Sequence, residues 1–287
     1  MTAAVLEELD IVRSVADLRA RVRYWRDQGL KVAMVPTMGA LHDGHLSLVA
    51  RGLELADRVV ASVFVNPTQF GPNEDLSRYP RQEAKDAELL AGAGCHLLFA
   101  PTAAEMYPEG FATTVTVAGV SEGLCGTVRP GHFAGVATVV SKLLLQCLPD
   151  IALFGEKDYQ QLAVIRRMVR DLDIPVSVVG VPTVREADGL AMSSRNAYLS
   201  AEERRIAPAI HRALVAIADG LKAGRRASEL CARATAELLE AGFNSVDYVE
   251  VRDADTLAPA EHLERPVRIL AAARLAGARL IDNIGVD

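Results

Sequence analysis

Two histidines around a glycine, His42-Asp43-Gly44-His45, follow the apolar run Val32-Ala33-Met34-Val35 and the stretch Pro36-Thr37-Met38-Gly39-Ala40-Leu41. A short strand that empties into a turn and then a helix start is the layout of a phosphate site in an α/β fold, because the first helical turn exposes unpaired N–H groups and the positive end of its dipole. Residues three apart share a helix face, so both imidazoles can address one ligand. Gly44 leaves room for a phosphate to approach the backbone. Taken alone, the same four residues fit an incidental pair of surface histidines equally well. A zinc site would need a third ligand at a fitting spacing, and none is evident.

Four further constellations share this character. Asn66-Pro67-Thr68-Gln69 closes the second apolar run, where an open parallel sheet binds ligands; Asn66 and Gln69 suit a carboxylate or hydroxyl, although Asn-Pro also simply ends strands. Arg129-Pro130-Gly131-His132-Phe133 precedes an apolar helix, and Arg129 is open to either an anion or plain solvent. In Gly155-Glu156-Lys157-Asp158-Tyr159-Gln160-Gln161, Lys157 can reach a phosphate, Asp158 can cap the helix, and Gln161 lies nearby. Met192-Ser193-Ser194-Arg195-Asn196 offers two hydroxyls and a guanidinium in a loop able to close over phosphates.

The elements that must position these groups alternate. Residues 14–28 read as a helix capped by Ser14, and a strand follows from Lys31. Helices are expected near 45–56, 82–91, 134–148 and 158–172, and strands at 58–66, 96–100, 151–154 and 176–181, with a further short strand at 113–117. Such alternation predicts a doubly wound parallel sheet. Past Pro182 the texture changes to a polar connection, two Ala-rich helices near 201–223 and 228–241, and alternating runs at 246–251, 267–273 and 279–284. The expected division is therefore 1–183, an α/β domain, and 184–287, a smaller α+β domain.

With 287 residues the chain can bury a sizeable core, and 50% hydrophobic with 24% charged residues is ordinary globular composition. A net charge of -6 argues against a general nucleic-acid binder. Cys95, Cys125, Cys147 and Cys231 form no C-x-x-C pair and read as reduced thiols. No leader-like N-terminus and no run near 18 apolar residues is present, so a cytoplasmic protein with no membrane partner is expected.

Together the motifs P-T-M-G-A-L-H-D-G-H, F-V-N-P-T-Q-F, R-P-G-H-F-A-G-V, F-G-E-K-D-Y-Q-Q and D-G-L-A-M-S-S-R-N resemble the pantoate-beta-alanine ligase family. The resemblance spans roughly 31–200, and it places the chain among the nucleotidylyltransferases with a Rossmann-like fold. It implies that ATP and (R)-pantoate give pantoyl adenylate and pyrophosphate, and that beta-alanine then displaces AMP to give pantothenate. On matching positions, Met38, Gly39, Ala40, Leu41, His42, Asp43, Gly44, His45, Gly155, Glu156, Lys157, Asp158, Val184, Met192, Ser193, Ser194 and Arg195 are implied to line ATP. Gln69 and Gln161 are implied to hold pantoate, Gln69 also meeting beta-alanine, with Asn66 supporting the adenylate.

The family assigns His45 as a proton donor; physically it reads as a phosphate-directed hydrogen-bond donor, acting with His42 and Lys157 on charge that builds at the α-phosphorus, and with Ser193, Ser194 and Arg195 alongside. Mg²⁺ is expected on the ATP phosphates with no protein ligand named, the C-terminal portion is expected to act as a lid, and a homodimer is expected. Met192 stands where many relatives have Leu, a volume-conserving change. Another nucleotidylyltransferase shares the first and last motifs without predicting the glutamine pair, a tRNA synthetase lacks its tRNA-binding domain here, and a non-catalytic sensor would be expected to have lost some motif residues.

Overall fold

Val32, Ala33, Met34 and Val35 are completely buried, which is why this run is apolar on both faces instead of alternating. In the structure, a computed structural model that describes residues 9–72 and 74–287, the run forms the second of six parallel strands. These are β1 Asp10–Val12, β2 Val32–Thr37, β3 Arg58–Val63, β4 Leu97–Phe99, β5 Ile151–Gly155 and β6 Ser177–Val181, in the order β1-β4-β3-β2-β5-β6. The connecting helices are α1 Val15–Asp27, α2 Asp43–Leu55, α3 Glu83–Gly92, the short α4 Ala103–Met106 and α5 Leu124–Val128, then α6 His132–Cys147 and α7 Tyr159–Asp171.

Successive β2 side chains point to opposite faces of the sheet. Ala33 and Val35 join Leu48 and Val49 of α2 and Leu90 of α3 in one apolar cluster, whereas α1 and α6 pack on each other and on β2. Helices on both faces make the sheet doubly wound. The chain steps from β2 outward through β3 to β4, then returns to β5 on the other side of β2, so the order reverses between β2 and β5. Their paired register ends at Met34 with Ala152, and Pro36 has no N–H with which to continue it. A crevice at such a switch point, beyond the carboxyl ends of the strands, is where these sheets bind ligands.

Contacts divide the chain into two units. The first takes in the described residues up to Ser121 together with Arg129–Glu156 and Val164–Pro182; the second comprises Glu122–Val128, Lys157–Ala163 and Thr183–Asp287. The second unit holds α8 Ala201–Ile206, α9 Ala209–Lys222, α10 Ala227–Glu240 and an antiparallel sheet of β7 Ser245–Asp253, β8 Val267–Leu275 and β9 Ala278–Val286, in that order. Its own core gathers Leu214, Ile217 and Leu221 from α9, Leu230 and Leu238 from α10, and Ile269 from β8.

Three expectations are corrected. Residues 113–117 form no strand; the Val115 N–H donates to the Thr138 hydroxyl (2.9 Å) instead of joining a ladder. The helix expected at 201–223 is split into α8 and α9, because Pro208 stands at the junction without an N–H. Strand β1 is an addition to the expected set, since three residues carry no measurable period. All four cysteines are free.

Candidate active site

The stretch after β2 is strained and then braced. Gly39 (φ 82°) and Ala40 (φ 53°) are both left-handed, and a Cβ on Gly39 would sit 2.8 Å from Asp86 Oδ2. Asp86, from α3 and only 1% exposed, accepts the N–H groups of Ala40 (3.0 Å) and Leu41 (2.8 Å). These bonds replace the water that a buried carboxylate loses. Thr37 Oγ1 donates to the Ser62 carbonyl (2.7 Å) and accepts the Gly39 N–H (3.1 Å). The chain thus enters α2 along a fixed path.

At the start of α2 the two histidines cap the helix themselves. His42 Nδ1 accepts the Gly44 N–H (3.1 Å), and His45 Nδ1 accepts the His42 N–H (3.4 Å). The rings lie 4.2 Å apart between centroids. Because a backbone N–H only donates, both Nδ1 atoms are acceptors, and the proton of each neutral imidazole sits on Nε2. Each ring therefore presents a donor at Nε2 without needing a positive charge.

Beyond β3, Asn66 is 1% exposed and its amide is fully oriented by the protein. Oδ1 accepts from the Tyr107 hydroxyl (2.7 Å), the Thr68 hydroxyl (3.0 Å) and the Thr68 N–H (3.3 Å), while Nδ2 donates to Gln69 Oε1 (3.0 Å) and the Gly135 carbonyl (3.3 Å). Burial raises the Tyr107 hydroxyl above its ordinary range, so it stays a donor. With Oε1 engaged, Gln69 presents its Nε2, which lies 3.2 Å from the Met38 sulfur. Sulfur is a weak acceptor that an anionic oxygen would outcompete.

The backbone of Gln69 is held as firmly. His132 Nδ1 donates to the Gln69 carbonyl (2.9 Å), and Arg129 donates to it (3.4 Å) and to His132 Nε2 (3.0 Å). A carbonyl only accepts and a guanidinium only donates, so His132 is fixed as the Nδ1–H tautomer. Arg129 also grips Glu74 with two bonds (2.6 and 2.7 Å). Burial alone would raise the Glu74 carboxyl, but the bonds and charge of Arg129, with the Gly71 N–H, bring it down to about 2. A cavity of about 390 Å³ beside Met38 is lined by Phe64, Leu76, Pro80 and Asp86; His42, His45 and Gln69 do not line it.

Gly155 and Glu156, at the carboxyl end of β5, complete the motif residues of the first unit. In the second unit, Lys157 and Gln161 are partly buried, and Lys157 Nζ lies 3.6 Å from Asp158 Oδ2. Val184 and Met192 are brought together by a hairpin: the Met192 N–H donates to the Val184 carbonyl (3.0 Å), and the Glu186 N–H to the Leu190 carbonyl (2.8 Å). Ser193 caps a 3-10 turn over Ser194–Tyr198 by accepting the Arg195 N–H (3.3 Å).

Among proteins of known family, the profile described as pantoate-beta-alanine ligase matches residues 10–285. The chain belongs to the pantoate-beta-alanine ligase family. A pantothenate synthetase of Paramagnetospirillum magneticum is 76% identical, covering 96% of this chain and 98% of that protein, and one of Rhodospirillum rubrum is 59% identical, covering 98% and 100%. The crystal structure of the Thermus thermophilus pantothenate synthetase superposes with a TM-score of 0.89 at 52% identity, over 96% of this chain and 99% of that one. The Francisella tularensis pantoate-beta-alanine ligase, solved with beta-gamma ATP and beta-alanine, gives 0.82 at 33% identity, over 96% and 97%.

As a pantoate-beta-alanine ligase the chain performs ATP-dependent formation of the C–N bond between pantoate and beta-alanine. Three residues of the first unit that brace the motifs were not legible beforehand. Asp86, Tyr107 and Glu74 lie 46, 41 and 55 residues from Ala40, Asn66 and Arg129, their respective partners, and nothing local marks them.

Proposed function

We propose that the ligation runs through pantoyl adenylate. A pantoate carboxylate oxygen attacks the α-phosphorus of ATP and pyrophosphate leaves; the beta-alanine amine then attacks the acyl carbon, losing a proton as AMP departs. In this reading Met38–His45, Gly155, Glu156, Lys157, Asp158, Val184 and Met192–Arg195 bind ATP. His42, His45 and Lys157 stabilise charge on the phosphates, Gln69 and Gln161 hold pantoate, Gln69 meets beta-alanine, and Asn66 acts by orienting Gln69.

The observation that carries the proposal is the orientation of Gln69: with its Oε1 taken by Asn66, the amide offers only N–H donors, the complement of a carboxylate or hydroxyl oxygen. The Nε2–H tautomer of both histidines supports their role as phosphate donors. Among the described residues no group of three or more His, Cys, Asp or Glu side chains is placed to hold a metal ion. Mg²⁺ is assigned to the ATP phosphates, and no step is routed through it. No helix of the described residues is long and apolar enough to cross a membrane; cytoplasmic location, the lid role of 184–287 and a homodimer of 30.8 kDa chains belong to the same proposal.

Pyrophosphate release is the test. ATP with pantoate and no beta-alanine should release about one equivalent per site and then stop, and beta-alanine should restore turnover with AMP. Pyrophosphate formed without pantoate would overturn the reading. Gln69→Ala should raise the KM for pantoate with little change for ATP, since an unpaired polar group costs about 1 to 3 kcal/mol; equal losses for both substrates would remove Gln69 from the pantoate site.

A further inference from the structure

Strand β9 carries two polar residues inside the second unit, Asp282 (2% exposed) and Asn283 (3%), that belong to none of the sequence motifs. Asp282 receives the Arg185 guanidinium through two bonds, 2.7 and 2.9 Å. The other Nη protons of Arg185 go to the Gly189 carbonyl (2.9 Å) and the Asn283 carbonyl (3.1 Å). This ties the hairpin that pairs Val184 with Met192 to the sheet. Asn283 Nδ2 donates to the Lys157 carbonyl (2.8 Å), and its own N–H bonds Asp282 Oδ1 (2.7 Å).

His211 of α9 completes the seat. Its Nδ1 lies 3.7 Å from Asp282 Oδ2, and its ring fills the space beside Gly189, where a Cβ would come within 2.4 Å of Cδ2. Two chain segments far apart in sequence, 97 and 126 residues from their partners, are thus held by adjacent residues of one strand. One segment includes Lys157; the other begins one residue after Val184. A strand that needed only to be buried would place apolar groups here, because buried ionic pairs are seldom the more stable choice.

We infer that Asp282 and Asn283 are positioning residues for ATP, aligning Lys157 and the Val184–Met192 hairpin on the nucleotide without touching it. The inference rests on the reading of Lys157 and Val184 as ATP residues. It predicts a larger effect on ATP than on pantoate, because the carbonyl that Asn283 holds belongs to Lys157 itself, whereas Gln161, assigned to pantoate, lies four residues further along the chain.

The full-length protein tests it, with binding of a β,γ-imido ATP analogue and Mg²⁺ measured by calorimetry beside steady-state KM values. Asn283→Asp is close to isosteric but turns an acceptor toward the Lys157 carbonyl. Its Kd for the analogue should rise about tenfold, the loss of one hydrogen bond, while the KM for pantoate stays within about twofold. In a Lys157→Ala background the same change should cost less than about twofold, because its effect passes through Lys157.

Equal loss for both substrates, or full additivity in the double variant, overturns the inference and leaves Asn283 a scaffold residue. Should Asn283→Asp not melt cooperatively, Arg185→Lys, which keeps the charge and loses the paired bonds, is read in the same way for the hairpin. Lys157→Ala alone separates the two levels. If it leaves nucleotide affinity unchanged, the assignment of Lys157 falls and this inference with it; if it weakens binding and Asn283→Asp does not, only the inference falls.

Discussion

At His45 the proposed chemistry turns on a single nitrogen. Nδ1 accepts the His42 N–H, so in the neutral ring the proton sits on Nε2, the donor proposed to meet phosphate. Removing one preorganised donor of this kind costs on the order of 10² to 10³ in rate. His45→Ala should therefore lower pyrophosphate release in the half-reaction by roughly 10² or more, with the melting temperature changed only slightly because the capping bond it loses is long. Near-normal adenylate formation would take His45 out of the chemistry and leave it a helix cap. Gln69 stands on similar logic: its donor face is set by Asn66, which itself is set by Tyr107 and Thr68, so the amide proposed to meet pantoate has no freedom to present its oxygen instead.

The element that gives Gln69 its place is the first half of α6. Gly135 is a close-approach glycine: a Cβ there would stand 2.4 Å from the Thr68 carbonyl oxygen and 2.7 Å from the Gln69 nitrogen. Arg129, His132 and Gly135, spaced by threes, together form the bed of the Pro67–Gln69 turn. Gly135→Ala should push the turn off the helix, lowering stability by about 1 to 3 kcal/mol as overpacking does and raising the pantoate KM more than the ATP KM. Wild-type pantoate kinetics in a folded variant would refute the bed.

The Glu74–Arg129 bond adds a pH signature at this scale. A carboxyl held near 2 in the folded protein, against 4.5 when free, contributes stability that is complete above about pH 4.5 and fades as pH falls toward 2. The melting-temperature gap between wild type and Glu74→Gln should be constant above pH 5 and close between 4.5 and 2. A gap that ignores pH would mean that the charge plays no part.

The same bed shows what the sequence could and could not reveal. The two-histidine helix start is legible because its histidines and glycine lie within four consecutive residues, although the capping of α2 by His42 is not; Ser14 is legible as a cap because Asp17 follows three residues on, and it accepts the Asp17 N–H at 3.1 Å. Arg129 and His132 are visible as a motif but open in meaning, since the carbonyl they share lies 60 and 63 positions away. Residues 113–117 misled because alternation was present while the strand partner was not. Asp282 and Asn283 gave no signal at all, being polar residues in a run that reads only as a final strand.

For the molecule as a whole, the two units carry apolar clusters built from separate residues, the first including one around Val35, Leu48 and Leu153 and the second one around Leu214, Ile217 and Ile269. A chain that divides into two units is not expected to unfold in a single two-state step. Calorimetry of the unliganded protein is expected to resolve two transitions. Leu214→Ala, at a site with no exposure, should destabilise the second core by about 2 to 5 kcal/mol and lower one transition while leaving the other in place. A stable pantoyl adenylate analogue should raise the transition of each unit that binds it; at 100 times its Kd, binding adds about 2.7 kcal/mol. If Leu214→Ala lowers both transitions equally, the units unfold as one.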